Sequence, residues 1–139
     1  MAFHIGKYIK FALSPERAPE LNSVIGGRIY PVVVPDDDLN KPPYIWYTCE
    51  DMSEEYCKDG RVQDVDTVSV NVVSKSYEQL VDILGYVRKA IKDSITEWND
   101  SEIREHFYIF DIRMTAKNEE FDLANDTYTR TVLFDIENF

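Results

Sequence analysis

Between Val65 and Trp98 the spacing of apolar residues switches from every second position to every third or fourth. Val68, Val70 and Val72 alternate with Thr67, Ser69 and Asn71, which predicts a strand with one face in a core. Leu80, Ile83, Leu84, Val87, Ile91 and Ile95 then form one stripe, with Glu78, Asp82, Arg88, Lys89, Lys92 and Asp93 on the other side, which predicts a helix. Ser76 stands three residues ahead of Gln79, the spacing of a capping box, so the helix is expected to start there. Gly85 is its one weak position, and a close neighbour would explain it. A strand running straight into a helix of this length implies a sheet with the helix across one face.

The flanking segments fit around that unit. Phe3, Ile5, Tyr8, Ile9 and Leu13 suggest a short first helix ended by Ser14-Pro15. Leu21, Val24 and Ile25 add one apolar turn, and Gly26-Gly27 lets the chain reverse. Arg28 to Val34 reads as a strand, with Pro31 placing it at an edge or a bulge. Pro35 to Pro43 reads as a loop and Tyr44 to Thr48 as a strand. Glu50 to Gly60 is too polar for a core element and is expected to project as a hairpin tip or flap. Phe107 to Thr115 has bulk on both faces, which predicts a central strand parallel to the valine strand through a right-handed crossover, its second face covered by something else, such as another subunit. Lys117 to Asp126 is read as the connection to a last strand, Tyr128 to Ile136, paired antiparallel to its predecessor. The expected fold is a single α+β domain over residues 1–139, a mixed, largely antiparallel sheet with two helices packed mainly on one face.

Composition narrows the class. At 44% hydrophobic and 13% aromatic residues the chain is too apolar for disorder, and no apolar run approaches the ~20 residues that cross a bilayer. The N-terminal residues lack an apolar secretion core, so a cytoplasmic protein is expected. The formal net charge of −11, from 15 Lys+Arg and 26 Asp+Glu, argues against ordinary nucleic-acid binding and against an anionic membrane surface. It suits a basic partner, a surface that repels DNA, or solubility.

The search for chemistry returns little. Asp36, Asp37 and Asp38 lack the alternation, glycine and terminal glutamate of a calcium loop, so a solvated loop is expected. Glu54-Glu55 and Asp64/Asp66 are candidate carboxylate pairs without pocket residues in register. His106 is a candidate base with no nucleophile motif, and reads better as a strand-end surface residue. Cys49 and Cys57, with only His4 and His106 to add, do not make a zinc pattern; two reduced thiols are expected, with a disulfide as the alternative. Tyr44, Trp46, Tyr47 and Tyr56 could stack bases but are ringed by acids, so core packing plus a protein contact is the better use. No catalytic residue, metal or cofactor is expected, and Asp36, Asp37, Asp38, Glu54, Glu55 and Tyr56 are the candidate interface residues.

One resemblance bears on function. Gly27-Arg28-Ile29-Tyr30-Pro31, Pro35 and Pro42-Pro43-Tyr44-Ile45-Trp46-Tyr47 come first. Gln63-Asp64-Val65-Asp66, Ser76-Tyr77-Glu78-Gln79 and Val87-Arg88-Lys89-Ala90-Ile91 follow. In that order and spacing, over about half of the chain, they resemble the phage and prophage tail terminator or tail completion proteins. The resemblance implies an α+β subunit that assembles with itself into a ring, typically a hexamer, capping the tail tube and offering the head a docking surface. It also implies partners among tail-tube and head-completion proteins, no enzymatic activity and no cofactor. The acidic segment Glu50 to Gly60 and the C-terminal hairpin depart from the pattern.

A ring of acidic subunits would carry a lumen that repels the DNA backbone, with Asp36 to Asp38 or Glu50 to Glu55 along it. The rival from another class is an acidic DNA-mimic inhibitor of a nucleic-acid-binding protein. A mimic needs acids spaced along one exposed face, whereas a ring subunit needs apolar or aromatic edges on opposite sides. A small hydrolase is the third reading, and no constellation carries it.

Overall fold

The computed structural model describes residues 5–56, 62–103 and 107–138, with side chains described over 5–49, 65–103 and 107–138. The chain opens with helices α1 (Ile5–Ala12) and α2 (Pro19–Ile25) and a short strand β1 (Ile29–Pro31). A 3-10 turn at Asp36–Asp38 leads to the hairpin β2 (Tyr44–Tyr56) and β3 (Val62–Ser74). Helices α3 (Tyr77–Asp93) and α4 (Ile95–Asp100) follow, then a second hairpin, β4 (Ile109–Asp122) and β5 (Thr127–Asn138). The five strands form one sheet in the order β1-β2-β3-β5-β4, with β1 and β2 parallel and the other neighbours antiparallel. The α+β class and the largely antiparallel mixed sheet are as the sequence predicts.

The valine strand is β3, at the middle of the sheet. Its pairings set Val72 beside Ile45, Val70 beside Tyr47 and Val132, and Val68 beside Phe134. These residues join Ile5, Tyr8, Ile9, Leu21, Ile25, Leu80, Ile83, Val87, Ile91 and Trp98 in one buried cluster, so all four helices cover the same face. Four helices replace the expected two: the apolar turn at Leu21 to Ile25 is a helix of its own, α2, and the long periodic stretch breaks at Ser94, which ends α3 and begins α4. Trp98 on α4 is the largest fully buried side chain. Its indole Nε1–H donates to the Phe107 carbonyl at 2.9 Å, and Tyr8, Phe11 and Phe107 meet its ring edge-on at centroid distances of 5.3, 5.4 and 6.3 Å.

The start of α3 is capped as predicted on one side only. Ser76 Oγ accepts from the Gln79 amide at 3.3 Å. Gln79 does not reach back to the Ser76 amide; buried Ser74 takes that donor at 3.1 Å, and its hydroxyl donates to Gln79 Oε1 at 2.7 Å. Gly85 has no close neighbour: a Cβ built there meets nothing within 4 Å, and the position is exposed. Gly85→Ala is therefore expected to stabilise the protein by about 1 kcal/mol, read as a higher midpoint in denaturant with an unchanged slope. A loss of stability would show that the helix is constrained there.

Three segments differ from expectation. β3 and β4 run in the same direction, but β5 lies between them, and β4 is an edge strand rather than a central one. Ordinary alternation accounts for the bulk on both faces of β4: Phe107 and Ile109 point into the core while Tyr108 and Phe110 stay exposed, ring to ring at 5.6 Å, and the register shift between Ile109 and Asp111 then returns Ile112 to the core face. β4 also runs to Asp122, so most of the expected 117–126 connection is strand and the turn is only Leu123 to Asp126. The acidic segment is likewise β2 continued, paired up to Tyr56 opposite Val62, which agrees with a hairpin. Its tip, including Cys57, lies outside the described residues.

Candidate assembly surfaces

The two ends of the strand order differ in chemistry from the middle. At the β1 end the expected strand to Val34 stops at Pro31, because Val32 adopts φ 67. A β-branched residue in that region is a steric outlier, and with the Val33 amide bonded to the Pro31 carbonyl at 2.7 Å it makes a strained three-residue turn. Val32 and Val33 stand 62% and 69% exposed, with exposed Leu39 nearby in sequence after the 3-10 turn. Beside them, between α1, the α1–α2 turn, β1 and β2, lies an apolar groove of about 410 Å³ floored by Leu13, Ile29, Pro31 and Tyr47. It continues into a second hollow of about 270 Å³ along Pro31, Val32 and Tyr47. Lys10 lines both, Lys7 the second, and neither lining contains a carboxylate among the described residues.

At the β4 end, β5 stays paired with β3 as far as Tyr128, so it is the turn of the β4–β5 hairpin that extends past the sheet. Tyr128 packs against Phe121 at 4.8 Å and against Tyr77 of α3 at 5.5 Å between ring centroids. Glu119 accepts from Arg130 at 2.7 Å and from the Tyr77 hydroxyl at 3.0 Å, which raises the Tyr77 pKa. The turn beyond is fixed by Asp122. Its Oδ1 accepts from the amides of Ala124 at 2.9 Å and Asn125 at 3.3 Å, and its Oδ2 from the Asn125 side chain at 2.7 Å. Those bonds, the Asn125 side chain first, hold the Asp122 pKa below the usual carboxylate range. The result is a preformed tip that presents Leu123 at 86% exposure, with exposed Phe121 behind it and Glu120, Asp122 and Asp126 around it.

The sheet face away from the helices has a small apolar cluster, Val34, Tyr44 and Val73 with Tyr30 and Trp46, and beyond it mixes polar residues with Val65, Leu133, Tyr108 and Phe110. Burial raises the Tyr44 and Tyr47 pKa values. Register places Thr131, Asp135, Glu137, Asp111 and Arg113 on this face, and Arg113 bridges to Glu137 at 2.8 Å. Thr67 donates to Asp135 at 2.7 Å and Thr131 to Asn71 at 2.6 Å.

Of the candidate interface residues, Asp36 and Asp37 are exposed on the 3-10 turn, and Asp38 accepts from the Tyr30 hydroxyl, which raises the Tyr30 pKa. The side chains of Glu54, Glu55, Tyr56 and Asp64, and all of His4 and His106, lie outside the described residues, so those carboxylate and base candidates stay at the level of sequence. Asp66 is not part of a surface pair. It sits on the helix-covered face at 1% exposure and accepts from Asn138 Nδ2 at 2.8 Å, Asn138 being fully buried. Its parity with Val68, Val70 and Val72 was the signal for that placement. Cys49 is exposed. Among the described residues no group of three or more His, Cys, Asp or Glu side chains is placed to hold a metal, and no helix is long and apolar enough to cross a membrane.

No protein-family model and no curated protein sequence matches the chain. Its fold is similar to that of a chain in a solved structure described as the virion of a native gene transfer agent (GTA) particle, at 14% identity and a TM-score of 0.68, over 94% of this chain and 90% of that one. At that identity the likeness establishes a shared architecture from end to end.

Proposed function

We propose that this chain is a structural subunit of a phage-type virion, a tail-terminator-like protein that closes into a ring on the tail tube and meets head-side proteins, and that it catalyses no reaction. The observation that carries the reading is the placement of exposed apolar side chains at both ends of the strand order: Val32 and Val33 beyond β1, Phe121 and Leu123 on the β4–β5 hairpin. Two unlike sticky edges on one subunit give head-to-tail association, which closes into a ring when the rotation permits. The fold shared with a virion chain and the residue-order resemblance to tail terminators point the same way.

The helix-free face is the better surface for a lumen. Asp111, Asp135 and Glu137 outnumber Arg113 there, and a net acidic wall does not hold the DNA backbone. The DNA-mimic rival draws less support, since the outer side of α3 mixes Glu78 and Asp82 with Arg88, Lys89 and Lys92 rather than offering a face of carboxylates.

The test is to mix the purified chain with the tail-tube protein encoded beside it and image the tubes by electron microscopy. Ring-shaped density closing one end of tubes that have stopped growing is expected. Tubes with bare ends and unchanged lengths would reject the role.

A further inference from the structure

The two edges described above are complementary in shape and charge as well as apolar. One is convex: a turn held rigid by Asp122, carrying Leu123 outward, with Glu120, Asp122 and Asp126 around it. The other is concave: an apolar groove with Lys10 along both of its hollows, in a protein whose net charge is −11. A like-charged surface would repel the acidic hairpin, whereas this groove has no carboxylate in its lining among the described residues. Because the turn is already ordered by its own hydrogen bonds, docking loses little conformational entropy. At the strained turn on the rim of the groove the Val32 amide donates to the Tyr47 carbonyl at 2.8 Å, while the Val32 side chain stays 62% exposed.

We infer that the β4–β5 hairpin of one copy of this chain docks into the groove between α1 and β1 of the next, with Leu123 as the knob and Lys10 facing the acidic rim. The inference rests on the ring reading and gives it a register: each subunit contributes the hairpin to one neighbour and the groove to the other. Leu123 and Phe121 supply the buried centre of the contact, and the lysine–carboxylate pairs at its rim set orientation and encounter rate more than strength.

The test uses the full chain with Cys49→Ser and Cys57→Ser as background. Ser14→Cys places a thiol at the groove and Leu123→Cys one at the tip. Under mild oxidation the double variant is expected to give a ladder of covalent oligomers on a non-reducing gel, and each single variant at most a dimer. A second variant, Leu123→Asp, alters only an exposed tip and is expected to melt like the wild type yet lose capping of tail tubes. If the wild type caps tubes while the double variant gives no ladder, or while Leu123→Asp caps equally well, the docking is overturned and the ring role stands. If the wild type neither associates nor caps, both fall.

Discussion

Trp98→Ala is expected to lower the free energy of unfolding by about 4–6 kcal/mol. Removing a buried tryptophan costs roughly 3–5 kcal/mol in transfer and cavity terms, and the Phe107 carbonyl loses a donor, worth about 1 kcal/mol more. The residue joins three parts of the chain: it lies on α4, meets α1 through Tyr8 and Phe11, and fixes the entry to β4 through Phe107. Thermal melts should show the midpoint falling on the order of 10 °C. Trp98→Phe, which keeps an aromatic ring, should recover more than half of the loss. Wild-type stability in the alanine variant would mean that the helical layer is not anchored at this point.

The second large effect is alkaline. Tyr8 is fully buried and its hydroxyl donates to the Ile91 carbonyl; burial raises its pKa well above the ordinary tyrosine range. Below pH ~10 both folded and unfolded chains keep the proton, so the contribution is fully present. Above it the unfolded chain ionises and the folded one does not, so stability falls by about 1.4 kcal/mol per pH unit for this group until the folded pKa is reached. Tyr44 and Tyr47, raised in the same direction, steepen the wild-type curve. Tyr8→Phe is expected to cost about 1 kcal/mol at neutral pH and to flatten the slope above pH ~10 by about 1.4 kcal/mol per unit. Denaturant unfolding at a series of alkaline pH values measures both, and parallel curves for the two proteins would contradict the buried, protonated hydroxyl.

What the sequence revealed and what it hid have physical causes. The β3–α3 switch, the Ser76 cap and the edge character of β1 were legible because they rest on local periodicity and local hydrogen bonds. Strand order was not, since the β5 pairing with β3 joins residues as far apart as Asp64 and Asn138. The polar stretch Lys117 to Asp122 misled because backbone pairing with β5, not side-chain burial, makes it strand, whereas Glu50 to Tyr56, expected in a hairpin, is one arm of one. Phe110 misled for the opposite reason: on an edge strand the outward residues Tyr108 and Phe110 are bulky yet exposed, which gives them the look of a second buried face. For the candidate surfaces, the acidic runs drew attention, while Val32 was taken into a strand and Leu123 into a connection; only the fold shows that they lie toward opposite ends of one sheet.

The outer edge of β4 has one further consequence. A 14-residue strand ending a sheet offers a row of amides and carbonyls on which foreign strands could grow without limit. Here the row is kinked at Phe110 and again at Lys117, and studded with Asp111, Arg113, Lys117, Glu119, Glu120 and Asp122. Those irregularities deny fibril-like stacking a flat, uncharged template, so that copies of the chain can be crowded together without growing into an open-ended sheet.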